Sequence, residues 1–134
     1  MANAKSSSNK SSNKRFQGGV SVVLHVQSTR NNTIVTLSDA RGNVICKSSG
    51  GRTEKGARKR TAHAAKQAGH EVGTTVKNMK IKVSDVKVML RGVGSGRETA
   101  ILGFNEACNA HIKLVRDITP KAFAGVRKRK QKRI

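Results

Sequence analysis

A large excess of positive charge is the feature that most limits what this chain can fold into. Its 134 residues include 28 Lys and Arg against 7 Asp and Glu, which gives a formal net charge of +21 at pH 7. So many like charges destabilise a compact chain by self-repulsion, and an anionic partner offsets them. Nucleic acid is such a partner, and its binding releases condensed counterions for each phosphate that is neutralised. The charge therefore predicts a nucleic-acid partner.

The distribution of this charge divides the chain into three parts. Every acidic residue lies between Asp39 and Asp117. Residues 1–19 and 121–134 contain Lys and Arg without any acid, and like-charge segments of this kind are usually disordered in isolation. We therefore predict a flexible basic N-terminal extension at 1–19, a folded core at 20–120 and a basic C-terminal tail at 121–134.

An anionic membrane surface is the competing partner for a basic chain. Membrane-surface helices place Trp, Phe or Leu on an apolar face, whereas this chain has no Trp, no Tyr and three Phe. The chain also has no apolar segment that approaches the roughly 18 residues of a membrane-spanning helix. We therefore expect no membrane partner.

The cysteines and histidines do not predict a metal site or a catalytic site. Cys46 and Cys108 lie far apart in sequence, so no disulfide framework is indicated. His63 and His70 are not at the spacing of three or four with which one helix presents two metal ligands together. A zinc site that uses the thiols and histidines is the weaker alternative. We expect no catalytic residue, no metal, no cofactor and no small-molecule substrate.

Residue patterns in the first half predict three strands and a helix. Val-rich or alternating segments at 20–28, 34–38 and 44–47 are separated by Asn- and Gly-containing turns, which predicts an antiparallel meander. Residues 48–60 are typical of a loop that leads into a helix. Apolar or small residues then recur at steps of three and four, as on one helical face: Ala62, Ala65, Gly69, Val72 and Val76.

The second half of the core predicts alternating strands and helices. Residues 79–90 are typical of a strand with a bulge near Asp85, residues 97–108 of a helix and residues 111–115 of a last strand. The order is β-β-β-α-β-α-β, and strands separated by helices require parallel crossovers. We therefore predict an α/β fold in which helices pack on a mixed β-sheet.

Two glycines interrupt the first predicted helix. Gly69 and Gly73 each weaken a helix by up to about 1 kcal/mol relative to Ala. We expect them to be present because they allow the helix to approach the sheet closely.

A basic cluster precedes the first long helix. Five cations lie within nine residues, and Glu54 is the single acid among them. Such a charge run is usually a solvated face, but this one adjoins a Gly-rich loop and belongs to a strongly basic chain. We predict that these residues contact phosphates: Arg52, Lys55, Arg58, Lys59 and Arg60.

The segment Gly92–Gly96 lies between a predicted strand and a predicted helix. Backbone N–H groups converge at such a helix start, where the helix dipole adds partial positive charge, so a phosphate could bind there. The phosphate could belong to a dinucleotide, because Asp117 follows about 20 residues later. However, the loop opens the last crossover and lacks the Gly-Lys-Ser/Thr ending of a nucleotide-binding loop. An RNA backbone is the favoured ligand, and a tight turn that needs glycines for packing alone is the third possibility.

The scarcity of aromatic residues restricts the kind of nucleic acid. Modules that bind single strands stack bases on aromatic side chains, which this chain lacks. We therefore expect contacts with phosphates, sugars and the shape of a folded RNA. A nucleoid-type protein that compacts DNA is the alternative under the same electrostatics, and a nucleotide-dependent enzyme is a less favoured one.

Five segments together resemble the small-subunit ribosomal protein eleven family, bacterial or organellar type. The resemblance extends from about residue 20 to the C-terminus, and each segment alone is only modestly specific. The segments are Asn31-Asn32-Thr33-Ile34-Val35-Thr36 with Ser38-Asp39, Gly56-Ala57-Arg58-Lys59-Arg60-Thr61 with Ala64-Ala65, Lys77-Asn78-Met79, Gly92-Val93-Gly94-Ser95-Gly96-Arg97-Glu98-Thr99 and Asp117-Ile118-Thr119-Pro120.

This resemblance implies a non-catalytic structural constituent of the small ribosomal subunit. It implies an α/β sandwich that binds rRNA of the central domain at the platform, beside neighbouring small-subunit proteins and near the exit path of mRNA. We expect the rRNA-binding residues to be Arg30, Asn31, Asn32, Arg52, Lys55, Arg58, Lys59, Arg60, Gly94, Ser95, Gly96, Arg97, Arg127, Lys128, Arg129, Lys130, Lys132 and Arg133.

The chain departs from the family pattern at three places. Val93 and Ser95 stand where the family usually has prolines, and Ala62 stands where it has a helix-entry proline. Residues 122–129 keep the glycine and one arginine of the family tail but not its other polar residues and prolines. This divergence favours an organellar ribosome, with a mitochondrial matrix preferred and a bacterial cytoplasm as the alternative.

Overall fold

A computed structural model describes residues 19–134, which form a five-stranded sheet with helices packed on one face. Apart from Gly19, the predicted N-terminal extension at residues 1–19 lies outside the described residues. The elements in chain order are β1 (Val20–Ser28), β2 (Thr33–Asp39), β3 (Val44–Ser49), α1 (Gly50–Thr53), a 3₁₀ helix (Gly56–Arg60), α2 (Ala62–Asn78), β4 (Val83–Arg91), α3 (Arg97–Cys108) and β5 (His111–Asp117).

The sheet is mixed, and its strand order is β3-β2-β1-β4-β5. Strand β2 pairs antiparallel with both β1 and β3, while β4 pairs in parallel with both β1 and β5. The register between β1 and β4 shifts between the pairs Val20–Val83 and Val22–Val86, so β4 has one extra residue there, as expected from a bulge near Asp85. The predicted α/β fold with a mixed sheet is confirmed.

Alternation along each strand separates the two faces of the sheet. On β1, Val22, Leu24 and Val26 are buried beneath the helices, and the residues between them, such as His25 and Gln27, point the other way and are exposed. We call the first side the helix-covered face and the second the open face. Along the strand pairings, the open face carries Val23, His25, Gln27, Ile34, Thr36, Ser38, Lys47, Lys87, Met89, Arg91, Leu114 and Arg116.

Helix α2 packs against both the sheet and α3, and it begins where Thr61 caps it. The Thr61 side-chain oxygen accepts a hydrogen bond from the backbone N–H of Ala64. Of the face predicted from sequence, Ala62 is only partly buried because it is the first residue of the helix. The residues that the helix buries are Ala64, Ala65, Ala68, Gly69, Val72, Gly73 and Val76.

The glycines of α2 face α3 and not the sheet, so the expectation of a close approach to the sheet was wrong. A Cβ added to Gly69 would lie 2.1 Å from the carbonyl oxygen of Ala100, and one added to Gly73 would lie 2.6 Å from the Cβ of Ala107. On the other side, a Cβ at Gly103 would lie 2.1 Å from a backbone oxygen of α2. The reason is that the two helix backbones touch, which only residues without a side chain permit.

The predicted strand at 79–90 was wrong at its start, because α2 ends with a left-handed cap. Met79 closes the helix and Lys80 has a φ of 55°. The N–H of Ile81 then donates to the carbonyl of Val76 at 3.4 Å, and both side chains are buried together in the core. Strand β4 therefore begins only at Val83.

The remaining segments agree with the predicted order, and the structure adds two short helices before α2. Residues 48–60, predicted as a loop, contain the end of β3, the single turn α1 and the 3₁₀ helix. Residues 118–134 contain no helix or strand, and their side chains are exposed. No helix within residues 19–134 is long and apolar enough to cross a membrane. The division into extension, core and tail stays a prediction.

Candidate nucleic-acid interface

Three predicted binding segments and the segment that leads into the C-terminal tail lie at one end of the sheet. Strands β1, β3, β4 and β5 all run in the same direction, so the segments that follow them lie at the same edge. The chain leaves β1 towards one side of the sheet and β4 towards the other, and ligands of open α/β sheets commonly bind at such a point. We call this region the loop end, and it comprises residues 29–32, 50–60, 92–96 and 117–119.

The β1–β2 turn is held by hydrogen bonds of two side chains. Asn32 donates its backbone N–H to Thr29 Oγ1 at 3.1 Å, and Thr29 N–H donates to the Asn32 carbonyl at 2.8 Å. The side-chain oxygen of Asn32 accepts from the backbone N–H of Gly51 at 3.1 Å, which ties the turn to α1. Arg30 and Asn31 are exposed at the tip of the turn. Asn32 therefore positions the turn, and Arg30 and Asn31 remain accessible.

The 3₁₀ helix carries most of the basic cluster. None of its five residues is buried, and Lys55 before it is exposed as well. The Thr61 hydroxyl donates to the carbonyl of Arg58 at 2.8 Å, which fixes the end of the 3₁₀ helix against the start of α2. Lys59 lies against α1, because a Cβ on Gly50 would come within 2.6 Å of its carbonyl oxygen. The cluster is therefore presented on an ordered surface.

Arg52 differs from the other members of the cluster because an acid pairs with it. Its Nε lies 3.0 Å from Glu71 Oε1 on α2, and the hydroxyl of Ser48 donates to the other carboxylate oxygen at 2.6 Å. The Arg52 side chain is nevertheless 67% exposed. This contact fastens α1 to α2 and neutralises part of the charge that we predicted for phosphate contacts.

Packing explains the glycines of the 92–96 loop. Gly92 has a φ of +88°, and a Cβ there would lie 2.2 Å from the carbonyl oxygen of Ser28. Cβ atoms on Gly94 and Gly96 would lie 2.2 Å from the side-chain oxygens of Ser28 and Thr33. The loop therefore sits directly on the ends of β1 and β2, and this geometry supports the third possibility, a tight turn that needs glycines.

The exposed side of the same loop adjoins the basic cluster. Ser95 is exposed, and its hydroxyl donates to the carbonyl of Arg60 at 3.3 Å. Helix α3 begins after Gly96 without a side-chain cap. A phosphate contact at Gly94, Ser95 and Gly96 stays a prediction.

Asp117 connects the glycine loop to the start of the C-terminal tail. Its carboxylate accepts from the hydroxyl and the backbone N–H of Thr119 and forms an ion pair with Arg97. These hydrogen bonds from Thr119, followed by the contact with Arg97, lower the pKa of Asp117 to about 2. Thr119 Oγ1 also accepts from the N–H of Gly92 at 3.1 Å. Arg97, which we predicted as a phosphate ligand, therefore shares its charge with Asp117.

The loop end retains a surplus of cations that have no acidic partner. Among the described residues, Glu54 is its only acid outside these ion pairs, and it is partly buried. The exposed tail adds the six cations predicted at 127–133 beyond Asp117. The loop-end cations without an ion pair in the described part of the chain are Arg30, Lys55, Arg58, Lys59 and Arg60.

The described part of the chain contains no cluster arranged as a metal site, and its two thiols are not activated. No group of three or more His, Cys, Asp or Glu residues within 19–134 is arranged to hold a metal ion. Burial raises the pKa of Cys46 to about 11 and also raises that of Cys108. Both thiols are therefore protonated at neutral pH, whereas a nucleophile or metal ligand needs the thiolate.

Sequence reasoning did not identify the cations of the open face. Lys47, Lys87, Arg91 and Arg116 lie on strands, and each is exposed on the face opposite the helices. The alternation along β4 could have identified them, because the cations Lys87 and Arg91 occupy the positions that alternate with the buried Val88 and Leu90.

A cationic loop end with few aromatic residues suits the binding of folded nucleic acid through its phosphates. Comparisons with known proteins identify the family within this class of nucleic-acid-binding proteins. The family model described as "Ribosomal protein S11" matches residues 22–133.

Two relatives cover most of the chain. "Small ribosomal subunit protein uS11c" of Chlorella vulgaris is 42% identical over 127 residues, which is 93% of this chain and 95% of the relative. "Small ribosomal subunit protein uS11" of Rhodopirellula baltica (strain DSM 10527 / NCIMB 13988 / SH1) is 40% identical over 123 residues, which is 90% of this chain and 94% of the relative. The chain belongs to the ribosomal protein S11 family, and the resemblance found in the sequence is confirmed.

Proposed function

We propose that this chain is a non-catalytic structural constituent of the small ribosomal subunit that binds rRNA through its loop end. The names of both relatives and the family match support this role. The observation that carries the site is the convergence of four chain segments at one edge, where five exposed cations have no acidic partner in the described residues. A polyanion is the ligand that such a surface favours.

The residues of the loop end divide into two roles in this proposal. Asn32, Asp117 and the glycines of the 92–96 loop hold the segments in place. Arg52 and Arg97 contribute partial charge, because each is shared with a carboxylate. The phosphate contacts come from Arg30, Lys55, Arg58, Lys59 and Arg60, with Asn31 and Ser95 beside them.

The C-terminal tail extends the same interface. Residues 121–134 are exposed and begin next to the Asp117 contact, so the tail leaves the core at the loop end. A segment with this composition orders on binding and enters RNA grooves that a folded core does not reach. Its proposed contacts are Arg127, Lys128, Arg129, Lys130, Lys132 and Arg133.

The finer placement rests on the family resemblance. We infer a position on the platform, against central-domain rRNA, beside other small-subunit proteins and near the mRNA exit. A ribosome of an organelle or a bacterium is proposed, and neither relative supports a mitochondrial location in particular.

Removal of two loop-end cations tests this assignment. The double variant Arg58→Ala, Lys59→Ala is compared with Lys77→Ala, Lys82→Ala, which removes two exposed cations from the opposite end of the sheet. Binding to transcribed small-subunit rRNA is measured across a salt series. Each phosphate that is no longer neutralised lowers the salt slope by about one unit, so we expect a smaller slope for the first variant and an unchanged slope for the second.

Competition separates this role from DNA compaction. Duplex DNA of equal length is added at the same salt concentration, and we expect it to displace the chain less effectively than structured rRNA does. An unchanged slope for Arg58→Ala, Lys59→Ala would reject the loop-end assignment, and equal competition by DNA would favour a nucleoid-type protein.

A further inference from the structure

The open face of the sheet is a second cationic surface, separate from the loop end. The pairing registers arrange its side chains in rows that cross the sheet. One row joins Lys47, Thr36, His25, Met89 and Arg116, and the row beside it joins Ser38, Val23, Lys87 and Leu114. None of the helices in residues 19–134 covers this face, since the buried core lies on the other side.

Apart from Asp85 at its margin, the charge on this face is positive. Lys47, Lys87, Arg91 and Arg116 are exposed, and none of them has an ion pair among the described residues. The nearest acid, Asp85, lies at the margin. Its carboxylate is already occupied, because His111 Nδ1 lies at 3.5 Å and Lys113 Nζ at 4.0 Å.

The spacing of these cations suits an extended polyanion and not a small ligand. Strands lie about 4.8 Å apart, so Lys47 on β3 and Arg116 on β5 are roughly 19 Å apart across the sheet. Lys87 and Arg91 are roughly 13 Å apart along β4. A free phosphate or a nucleotide cannot contact all four cations, whereas the backbone of a nucleic-acid helix can.

The residues between the cations favour a helical RNA over a single strand or a protein. They are mostly aliphatic or polar, such as Val23, Thr36 and Leu114. His25 is the single ring among the open-face residues that the structure describes, so this face offers no row of aromatic side chains on which unpaired bases could stack. Double-helical RNA is recognised by shape and through its phosphates and 2′-hydroxyls. A protein partner would need acids matched to each cation, while an RNA backbone supplies anions along its whole length.

We propose that the open face binds the phosphate backbone of a helical segment of RNA. The inference deepens the proposed function, because it takes the RNA to be that of the small ribosomal subunit. The open face and the loop end share no cations, so an experiment can reject one assignment and leave the other intact.

Lysine acetylation of the full chain, with and without small-subunit rRNA, tests the contact directly. We expect RNA to protect Lys47 and Lys87 on the open face, as it protects Lys55 and Lys59 at the loop end, while Lys77 and Lys82 stay reactive. Equal reactivity of Lys47 and Lys87 with and without RNA, together with protection of Lys55 and Lys59, would overturn the open-face proposal and leave the proposed function intact. Protection of Lys47 and Lys87 alone would reject the loop-end assignment.

A variant pair provides the second readout. Lys87→Ala, Arg116→Ala is expected to lower the salt slope of rRNA binding by about one unit for each phosphate that is no longer neutralised, with no change in the urea midpoint because both side chains are exposed. The control Lys77→Ala, Lys82→Ala removes equal charge. An unchanged salt slope for rRNA binding overturns the proposal. If the variant with an unchanged slope also fails to co-sediment with small subunits, the partner of this face is a protein and not RNA.

Discussion

The two faces of the sheet use the same strands for different purposes. On β1, Leu24 is fully buried beneath the helices, while its neighbour His25 is exposed on the open face. The helix-covered face presents mostly aliphatic side chains to Phe104 and the other buried residues of the helices, whereas the open face carries four cations. Because side chains alternate with a period of two, one face can supply the stability of the fold while the other carries charge for a partner.

The contrast also explains how a chain with a net charge of +21 holds a core. Cations that lie more than about 10 Å apart in water are largely screened at moderate ionic strength. Lys47 and Arg116 are separated by the width of the sheet, and none of the described residues buried between the sheet and the helices is charged. The cations therefore lie in solvent, where salt screens their mutual repulsion, and apolar packing holds the sheet and the helices together.

Substitution of adjacent residues on β1 gives the strongest test of the difference between the two faces. Leu24→Ala removes buried methyl groups, and we expect a loss of about 2–5 kcal/mol in the free energy of unfolding. His25→Ala on the open face is expected to change it by less than about 0.5 kcal/mol. Urea denaturation with linear extrapolation measures both. Similar losses for the two variants would show that the open face also carries stability.

A smaller effect is expected where α2 and α3 touch. A Cβ on Gly103 would lie 2.1 Å from the carbonyl oxygen of Lys66, so Gly103→Ala must push the helices apart. Overpacking of this kind costs about 1–3 kcal/mol, which exceeds the gain of at most about 1 kcal/mol in helix propensity.

Gly51→Ala is the matched control for that substitution. The nearest atom to a Cβ at Gly51 lies 3.6 Å away, an ordinary contact. We expect no loss of stability for the control in the same urea titration. A stabilising Gly103→Ala would mean that the contact between the helices relaxes easily.

Local patterns predicted the order of elements and most of the buried face. Alternation along β1 and steps of three and four along α2 each depend on a few neighbouring residues, and α3 was predicted at the residues where it lies, 97–108. The end of α2 was missed, since Lys80 adopts a left-handed conformation that is usually associated with glycine. A cap of this kind depends on the burial of Ile81, which the local sequence does not reveal.

Contacts between distant residues could not be predicted from local patterns. The sequence indicated basic segments, but their meeting at one end follows from the strand order. Asn32 contacts Gly51, and Arg97 contacts Asp117, 20 positions away. The glycines of α2 were expected to face the sheet because periodicity identifies a buried face without identifying what covers it.

The loop end is held by single polar contacts, so we expect substitutions there to change the free energy of unfolding less than substitutions in the core. Thr61→Ala removes the hydroxyl that caps α2 and also holds Arg58, and we expect a loss of about 1 kcal/mol in the free energy of unfolding. Thr61→Ser keeps the hydroxyl and should retain most of the stability. A Thr61→Ala variant as stable as the original chain would show that the backbone alone forms this junction.

The smallest effect, and the only one that depends on pH, is expected at Asp117. Its pKa is about 2 in the folded chain against an ordinary value of 3.8, because Thr119 and Arg97 stabilise the ionised carboxylate. The folded state therefore favours the charged form, and its stabilising contribution is present above about pH 4 and disappears as the pH falls towards 2. Asp117→Asn should be less stable than the original chain at neutral pH, and the difference should shrink in acid.

An NMR titration of the Asp117 carboxyl carbon measures this shift directly. Thr119→Ala removes a donor that contributes most to the lowered pKa while Arg97 remains, so the titration midpoint should move from about 2 towards 3.8. A midpoint near 3.8 in the original chain would mean that the contact does not form in solution. The tail would then leave the core without the fixed direction that the ion pair provides, although the helix-covered face would keep its full stability, because none of its buried residues takes part in this contact.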